Sequence, residues 1–332
     1  MASTVLVITA LEDVTADWVI AALNARGVPV VRIDPADIGP ELAFGFRIGS
    51  GTPLWSGRMR TTSKELELGE VTAVYYRRPT PYADRFKHLP QQQRDFAIAE
   101  ARHGLGGVLH SLRRALYVNH PSAVARADFK PTQLQRFAEL GVRIPPTLIT
   151  NDPEAARKFA ATQEQVVYKS FRGLPRGDDH RTGALWTQRV DPDTFDDALM
   201  TTAHLFQAEI PKAGDARVTV VGRRVFAQRI TTPDGALDWR RGNWEELAHT
   251  PIAVPSAVEA ALQRYLDSFG LVFGCFDFAL TGDSDDPERW WAIECNPNGQ
   301  WGWLPDAQDI TDAFADILTR KEAAGHEDAG RP

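Results

Sequence analysis

The sequence predicts an α/β fold that contains both parallel and antiparallel sheets. Its first part reads as a strand, an amphipathic helix that ends at Gly27 and a second strand over Val28–Ile33, which is the βαβ pattern of a small parallel sheet. Later parts carry paired strand-like runs around turn residues, as on either side of Gly222. A length of 332 residues with 43% apolar content allows two or three packed domains.

The remaining elements follow from the same patterns. Strand-like runs appear at ELAFGFRIG, PLWSGRMRT and VTAVYYRRP, and QQQRDFAIAEARHGLGGVLHSL predicts one long helix. The short strand YVNHP leads to Pro121, so a domain boundary is predicted near residue 120. Beyond it, the strand VVYKS runs into a Gly-rich loop, FRGLPRGDD, and LVFGCFDFAL and RWWAIECN form two final strands. The polar tail from Lys321 is predicted to fray.

Composition excludes some classes of protein. The chain has 37 basic and 44 acidic residues, which argues against a general affinity for nucleic acid or an anionic membrane. The first 120 residues have 14 basic and 12 acidic side chains and the rest 23 and 32, so an acidic ligand could use the first part, although ordinary surface variation is the simpler explanation of the difference. No apolar run reaches the ~18 residues of a membrane helix. The N-terminus has no basic signal region, and Cys275 and Cys295 read as buried free thiols, so a cytoplasmic protein is expected.

Three polar side chains interrupt the two final apolar strands. Because side chains alternate along a strand, Asp277 should lie among small residues, and Glu294 and Asn296 should share a face with Ala292. A hairpin would bring all three oxygen-bearing groups together, a set that suits Mg²⁺. The alternative is a hydrogen-bonded polar patch with Asn-Pro-Asn-Gly as a simple turn. Two unpaired carboxylates in an apolar setting would be costly without a cation.

Two lysines are candidates for phosphate contacts. Lys169 is the one charged residue in an apolar strand and stands just before the Gly-rich loop, whose backbone could approach a phosphate. There is no Walker pattern, so this loop is not a P-loop. Lys130 stands at a helix start, where a solvated helix-end lysine is the alternative. The extended connector FQAEIPK could present backbone groups to an adenine edge.

Two arginines follow that connector. Asp215 and Arg217 lie two apart on one strand face, and Arg229 follows on the returning strand. An Arg beside a carboxylate is ordinarily a surface pair. Near a phosphate site, however, such arginines could stabilise a transferred phosphoryl group.

With these pieces in order, residues 1–318 resemble an ATP-grasp enzyme. The resemblance rests on NHPSAVARADFKPTQLQRFAELGVRIPPT, VVYKS, FQAEIPKAGDARVTVVG, FDFAL and ECNPNGQW. VYYRRP, FQAEIPK, DWR and ECNPNGQW together resemble the graspetide synthetases, ribosomal peptide maturases related to the microviridin ligases. The resemblance implies an N-terminal pre-ATP-grasp domain over 1–120, a central subdomain over 121–206, a C-terminal subdomain over 207–318 and a flexible tail over 319–332.

The resemblance also implies roles for individual residues. Residues expected to bind ATP are Lys130 and Lys169 at the phosphates, Gln207, Glu209 and Ile210 at adenine, and Asp215. Residues expected to bind Mg²⁺ are Asp277, Glu294 and Asn296. Arg217 and Arg229 would be catalytic, near the γ-phosphate and an acyl phosphate. Arg77, Arg78, Trp239 and Arg240 would line the substrate side, although Arg77 and Arg78 could equally just end a strand. Ala208 departs from the acidic residue often found beside the hinge Gln, so it is given no side-chain role.

The implied reaction is ATP-dependent macrocyclisation of a ribosomally made precursor peptide. Asp or Glu side chains of the peptide would be activated as acyl phosphates and attacked by Thr or Ser hydroxyls, giving esters, or by Lys amines, giving amides. The resemblance further implies a precursor with a leader, and a homodimeric enzyme. Two alternatives stay open: another ATP-grasp carboxylate–amine ligase that adds amino acids to a peptide or protein, and a non-catalytic ATP-binding regulator.

Overall fold

The computed structural model describes residues 3–172 and 185–320. Most of the predicted Gly-rich loop and the tail from Lys321 therefore lie outside the described residues. Within them, the chain forms two compact units. Of the described residues, the first unit takes up ranges 3–124, 270–273 and 300–320, and the second takes up ranges 125–172, 185–269 and 274–299. The subdivision at 120, 206 and 318 stays a prediction.

The described chain contains runs of successive strands separated by helices. The helices are α1 (Val14–Ala25), α2 (Tyr82–Arg85), α3 (Gln91–His103), α4 (Leu105–Leu109), α5 (Pro121–Ala127), α6 (Lys130–Glu139), α7 (Pro153–Ala160), α8 (Ser256–Phe269) and α9 (Ala307–Leu318). The strands are β1 (Thr4–Ile8), β2 (Val30–Ile33), β3 (Leu42–Gly49), β4 (Thr52–Thr61), β5 (Glu65–Glu67), β6 (Val71–Tyr76), β7 (Leu116–Val118), β8 (Thr147–Thr150), β9 (Val166–Lys169), β10 (Gln188–Arg189), β11 (His204–Ala208), β12 (Gly214–Val221), β13 (Arg224–Thr231), β14 (Ala248–Pro251), β15 (Phe273–Leu280) and β16 (Trp290–Asn296).

The first unit is built on the predicted parallel sheet, whose strand order is β2-β1-β6-β7. Helix α1 begins after Asp13, whose side chain accepts a hydrogen bond from the Ala16 amide and so caps the helix. A second, antiparallel sheet of order β3-β4-β5 extends the unit. The βαβ prediction for the start of the chain is confirmed. Strand β2 begins two residues later than predicted, because Gly27 ends the helix with φ at 70° and Pro29 precedes the strand.

One helix of the first unit differs from its prediction. The segment expected to form a single long helix divides into α3 and α4 at Gly104. A Cβ at this position would lie 2.8 Å from the Glu100 carbonyl oxygen, closer than side-chain carbons approach backbone. Glycine therefore allows the chain to bend sharply here. The prediction missed this break because the hydrophobic pattern continues on both sides of Gly104.

The C-terminal helix completes the core of the first unit. Phe314 of α9 packs on Tyr75 of β6, with ring centroids 5.1 Å apart, and stacks on Trp301 at the same distance. Phe273 lies 5.0 Å from the Phe314 ring. Burial of several large aromatic side chains explains why the last helix joins a unit that begins more than 300 residues earlier.

The second unit consists of two sheets and the helices packed on them. The first sheet has the order β10-β9-β11-β8 and is antiparallel throughout, and the second has the order β14-β13-β12-β15-β16. The predicted hairpin at Gly222 joins β12 to β13, and its φ of 59° is one that glycine adopts without strain. Strands β15 and β16 pair antiparallel as predicted, with Asp277 directly opposite Glu294.

A β-bulge modifies this last hairpin. Phe278 pairs with Ala292 while Asp277 pairs with Glu294, so Ile293 is an extra residue on β16. The prediction that Ala292 shares a face with Glu294 is wrong for this reason, because the bulge interrupts the alternation of side chains. Instead Ile293 lines the same cavity as Glu294.

Candidate active site

A cleft in the second unit is lined by residues from both of its sheets. Two adjoining cavities form it, and the larger has a volume of about 350 Å³. The side chains that line both cavities are Lys169, Thr187, Gln207, Arg240, Ile293 and Glu294. This volume lies within the usual range for small-molecule sites.

The predicted carboxylates lie together in this cleft and are paired with cations. Nη1 of Arg217 donates to both carboxylate oxygens of Asp277, at 2.7 and 2.8 Å. Nζ of Lys130 lies 2.7 Å from Oε2 of Glu294, although 164 residues separate them in the chain. The amide of Asn296 lies 3.4 Å from Oδ2 of Asp277 and 3.3 Å from Oε1 of Glu294. The hairpin thus brings the three oxygen-bearing side chains into contact.

The two carboxylates differ in their protonation behaviour. Burial opposes the charge on Glu294, but Lys130, followed by Arg240 and Lys169, outweighs burial and lowers the pKa of Glu294 to about 2. Burial raises the pKa of Asp277 above its usual value; Arg217 opposes this rise and the charge on Glu294 adds to it. A cation at this point would relieve the repulsion between the two carboxylates, which face each other across one strand pair.

The donor chemistry of these three residues fits Mg²⁺. Two carboxylates and a carboxamide are hard oxygen donors, and Mg²⁺ in nucleotide sites is usually held by one or two carboxylates together with substrate phosphates. Among the described residues no group of three or more His, Cys, Asp and Glu side chains could hold a metal, and the predicted set contains only two carboxylates together with the carboxamide of Asn296. The metal role of Asp277, Glu294 and Asn296 stays a prediction.

A tight turn holds Asn296 in place. The amide of Gly299 donates to the carbonyl of Asn296 at 3.1 Å. A Cβ at Gly299 would lie 2.5 Å from Cβ of Cys275 and 3.2 Å from Nη2 of Arg217. The turn can pack this closely against β15 and the arginine only because residue 299 has no side chain.

Lys169 lies at the end of β9 and contributes to both cavities. Burial lowers its pKa to about 8; Lys130 and Arg240 act in the same direction and Glu294 opposes them. Lys130 begins α6, as predicted, and lines the larger cavity. Two ammonium groups beside a carboxylate cluster provide the positive charge that a polyphosphate needs.

The connector predicted to hold adenine lines the smaller cavity. Gln207 is 1% exposed, and its Nε2 donates to Oγ1 of Thr147. No donor among the described residues reaches its Oε1. A buried acceptor without a donor fits a ligand that carries an N–H group, as adenine does. The carboxylate of Glu209 binds Arg189 at 2.7 and 2.8 Å, and its backbone amide donates to the Gln165 carbonyl at 2.8 Å, so an adenine contact by Glu209 stays a prediction.

Lys212 is a residue that the sequence reasoning did not select. Its ammonium group donates to both oxygens of Asp215, at 2.8 and 2.6 Å, and to the Leu237 carbonyl at 2.9 Å. Burial raises the pKa of Asp215 to about 6, against the effect of Lys212. Lys212 therefore ties the start of β12 to the loop before Trp239. Its position at the end of the connector FQAEIPK is the sequence feature that could have identified it as a residue of the cleft.

Arg240 lines both cavities of the cleft. Its Nε and Nη2 each donate to Asp238 at 2.8 Å, and its Nη1 lies 3.9 Å from Oε1 of Glu294. Asp238 is 5% exposed and also accepts the Thr187 amide at 3.1 Å. No role was predicted for Asp238 from the sequence, although it is the first residue of the DWR motif. Trp239 is 8% exposed and lines the smaller cavity, so a substrate role for it stays a prediction.

Arg229 is not brought to this cluster. It pairs with Ala216 across β12 and β13, whereas Arg217 pairs with Gln228. Paired residues share a face, so Arg229 and Arg217 point to opposite sides of the sheet. Nη2 of Arg229 donates to the Ala213 carbonyl at 3.2 Å. The prediction that Arg229 lies with Arg217 near the γ-phosphate and an acyl phosphate has no support in this geometry, whereas Nη1 of Arg240 approaches Glu294.

Arg77 and Arg78 belong to the first unit and differ from each other. Arg77 is 1% exposed; its Nε binds Oδ2 of Asp13 at 2.6 Å and its Nη2 donates to Oε1 of Gln300. These bonds satisfy a buried charge and favour a structural role. Arg78 is exposed, and its carbonyl accepts the Ala10 amide. A substrate role for either arginine stays a prediction.

Known proteins are similar to this chain both in its first part and over most of its length. Residues 4–125 match the MvdD pre-ATP grasp domain. A Chryseobacterium gregarium RiPP-associated ATP-grasp ligase, solved with ADP and a leader and core peptide, is 26% identical with a TM-score of 0.85, and the match covers 95% of this chain and 96% of that one. The macrocyclase MdnC of Microcystis aeruginosa MRC, bound with precursor peptide MdnA, is 29% identical over 95% and 99%, with a TM-score of 0.81.

A third structure is similar over the same length. The macrocyclase MdnB of Microcystis aeruginosa MRC is 28% identical, covers 96% of this chain and 99% of that one, and has a TM-score of 0.76. The curated proteins gave no match. Among the described residues no helix is long and apolar enough to cross a membrane.

Two sheets around a cleft of lysines, arginines and carboxylates, joined to a pre-ATP-grasp domain, define an ATP-grasp ligase. The Lys130–Glu294 pair and the Asp277–Asn296 contact lie at the centre of that cleft. Within this class the chain is similar to RiPP macrocyclases, and the predicted resemblance to the graspetide synthetases is confirmed.

Proposed function

We propose that this ligase macrocyclises a ribosomally made precursor peptide at the expense of ATP. The observation that carries the proposal is the cleft in which Lys130, Lys169, Arg217 and Arg240 surround Asp277 and Glu294. Arg240 is also bonded to Asp238, so these four cations face three carboxylates, and the cations still exceed the carboxylates by one. They suit a ligand with several negative charges, such as the triphosphate of a nucleotide.

The chemistry begins with a poor acyl donor. A side-chain carboxylate of the peptide would have to expel oxide, so it is first converted by γ-phosphoryl transfer into an acyl phosphate, with release of ADP. A peptide hydroxyl or amine then attacks the carbonyl carbon, and phosphate leaves. A Thr or Ser hydroxyl gives an ester and a Lys amine gives an amide. No Ser-His-Asp set is needed, because phosphoryl transfer depends mainly on positioning and on neutralising charge.

The residues of the cleft divide this work. Lys130 and Lys169 bind the phosphates, and Gln207, together with the backbone of Glu209 and Ile210, binds the base. Asp277, Glu294 and Asn296 would hold Mg²⁺, which supplies charge neutralisation at the phosphate oxygens when bound. Arg240, fixed by Asp238, supplies a guanidinium toward the transferred phosphoryl group.

The partner is proposed from the similar proteins. The Chryseobacterium ligase was solved with a leader and core peptide and MdnC with its precursor peptide, so a precursor with a leader and a Thr/Ser- and Asp/Glu-containing core is the proposed substrate here. A homodimer is proposed on the family resemblance alone. The cytoplasm is the proposed location because Cys275 and Cys295 are buried free thiols.

Mass spectrometry tests the proposal. The protein is incubated with ATP, Mg²⁺ and an acidic, Thr-rich peptide encoded beside its gene, and each ring should lower the peptide mass by about 18 Da, one water per bond formed. A gain of an amino-acid mass would instead indicate a carboxylate–amine ligase. Nucleotide binding without turnover with any such peptide would indicate a regulator.

Variants locate the activity in the cleft. Lys169→Ala and Glu294→Ala should abolish the mass loss, because each removes a charge that the phosphates or the metal require. Lys158→Ala and Glu288→Ala are matched controls, since both side chains are more than 70% exposed and each belongs to a surface ion pair. Full cyclisation by either cleft variant would contradict the proposed site.

A further inference from the structure

An open apolar groove of about 390 Å³ lies in the first unit. Its floor includes Leu68, Val71 and Leu112, which belong to the main hydrophobic core of that unit. Leu54 and Trp55 of β4 form part of its wall and are only half-buried. The residues that line this groove are all different from the residues that line the cleft of the second unit.

Such a groove is costly for a protein that works alone. Apolar area left in water forfeits roughly 25 cal/mol per Å², and a concave apolar surface that reaches core residues is typical of a binding site. The indole of Trp55 is a large flat surface at this wall. Aromatic side chains of this kind are enriched where partners bind.

Two arginines at the groove carry charges that the protein itself does not neutralise. Arg113 and Arg114 are exposed and line the groove, and among the described residues neither side chain takes part in an ion pair or hydrogen bond. Arg58 on the neighbouring sheet behaves differently, because it pairs with Glu65 and Glu67 although it is 65% exposed. The groove therefore combines apolar walls with two available guanidinium groups.

We propose that this groove binds an apolar, acidic segment of the peptide substrate, outside the carboxylates that become part of the rings. The inference rests on the proposed function for the existence of that peptide. Leu, Ile or Phe side chains of the segment fill the groove, and neighbouring Asp or Glu side chains bind Arg113 and Arg114, whose planar guanidinium groups match a carboxylate.

A second copy of this chain fits the same surface poorly. A two-fold dimer through the groove would bring the same patch of both copies together and so collect two copies of Arg113 and Arg114 at one interface. Like charges brought together at an interface oppose binding, whereas an acidic peptide is attracted. Charge complementarity therefore favours an acidic peptide over a second copy of this chain as the ligand of the groove.

The test measures binding and cyclisation separately. The fluorescein-labelled precursor encoded beside the gene is titrated with the full-length enzyme without ATP, and anisotropy gives its Kd. Arg113→Glu/Arg114→Glu should raise the Kd by about tenfold or more, because two attractive contacts become repulsive. Ser111→Trp, which places an indole at the exposed rim of the groove, should weaken binding without a change in charge. Arg102→Glu is the control at another exposed arginine and should leave the Kd unchanged.

The outcomes separate the inference from the function. If wild-type enzyme cyclises the precursor and all groove variants bind it as wild type does, the inference is wrong and the function stands. If the variants lose binding but wild-type enzyme never cyclises the bound peptide, the groove is a peptide site and the function is wrong. If a rise in salt leaves the wild-type Kd unchanged, the arginines do not act through charge and the inference is overturned. Thermal unfolding and the KM for ATP verify that each variant is folded.

Discussion

The pKa of Lys169 leads to a prediction about proton uptake. Burial holds this pKa at about 8 in the free protein, against an ordinary value of 10.5. The ammonium form therefore prevails below pH 8 and the neutral amine above it. Phosphate groups of a bound nucleotide favour the ammonium form, so binding at alkaline pH must draw a proton from solution.

The expected proton count follows from the free-protein pKa. If nucleotide restores full protonation, uptake is about 0.1 proton at pH 7, about 0.5 at pH 8 and about 0.9 at pH 9. The same linkage weakens nucleotide binding as pH rises through the pKa, by up to about tenfold per pH unit above it. Nucleotide affinity is lost toward high pH because the pKa of Lys169 is lower in the free protein than in the nucleotide-bound protein.

Calorimetry in buffers of different ionisation enthalpy measures the uptake. Mg²⁺ and ADP are titrated into wild-type protein and into Lys169→Arg, whose guanidinium stays charged throughout. The difference between the two proteins removes any protons exchanged by the nucleotide itself. Lys158→Arg serves as a control, because this exposed lysine pairs with Glu154 and its pKa is raised. Equal uptake by wild type and Lys169→Arg at pH 9 would refute the reasoning.

Three further predictions concern the same cleft. Arg240→Ala should lower kcat about 100-fold or more while Arg229→Ala stays near wild type, measured as ADP release, and the reverse order would restore Arg229 as the catalytic arginine. Gly299→Ala should cost about 1–3 kcal/mol of unfolding free energy and weaken Mg²⁺ binding, whereas Gly282→Ala, whose Cβ would meet only a side chain at 3.4 Å, should not. Glu294→Gln should retain the fold by circular dichroism but need far more Mg²⁺ for half-maximal rate, and an unchanged Mg²⁺ requirement would remove Glu294 from the metal set.

Local patterns were sufficient for most elements. Alternation and hydrophobic runs predicted the strands, and the order of Lys169, the connector at Gln207 and the last two carboxylates predicted the ATP-grasp class. Asp277 and Glu294 were expected to meet because a short polar loop joins their strands, and they are direct partners across the hairpin. For the strands and for this hairpin the interacting residues are close in the chain or follow a simple period, whereas the ATP-grasp class came from a resemblance carried by motifs spread along the chain.

Contacts between segments distant in the chain were harder to predict from the sequence. The partner of Lys130 is Glu294, 164 residues away, and no local pattern indicates that they meet. The burial of Arg77 against Asp13 and Gln300 was equally hidden, since an Arg that ends a strand is usually exposed. Asp238 was given no role from the sequence, because its two hydrogen bonds to Arg240 are a feature of the folded chain.

The amino-acid sequence by itself determined the α/β class, the order of the motifs and the chemical types at the site, because these depend on short-range periodicity and on residue identity. The tertiary structure alone decided which arginine joins the carboxylates, since Arg217 and Arg229 differ only by strand register. It also decided that Ile293, not Ala292, faces the cleft, because a single extra residue in β16 reverses the side on which every preceding side chain lies.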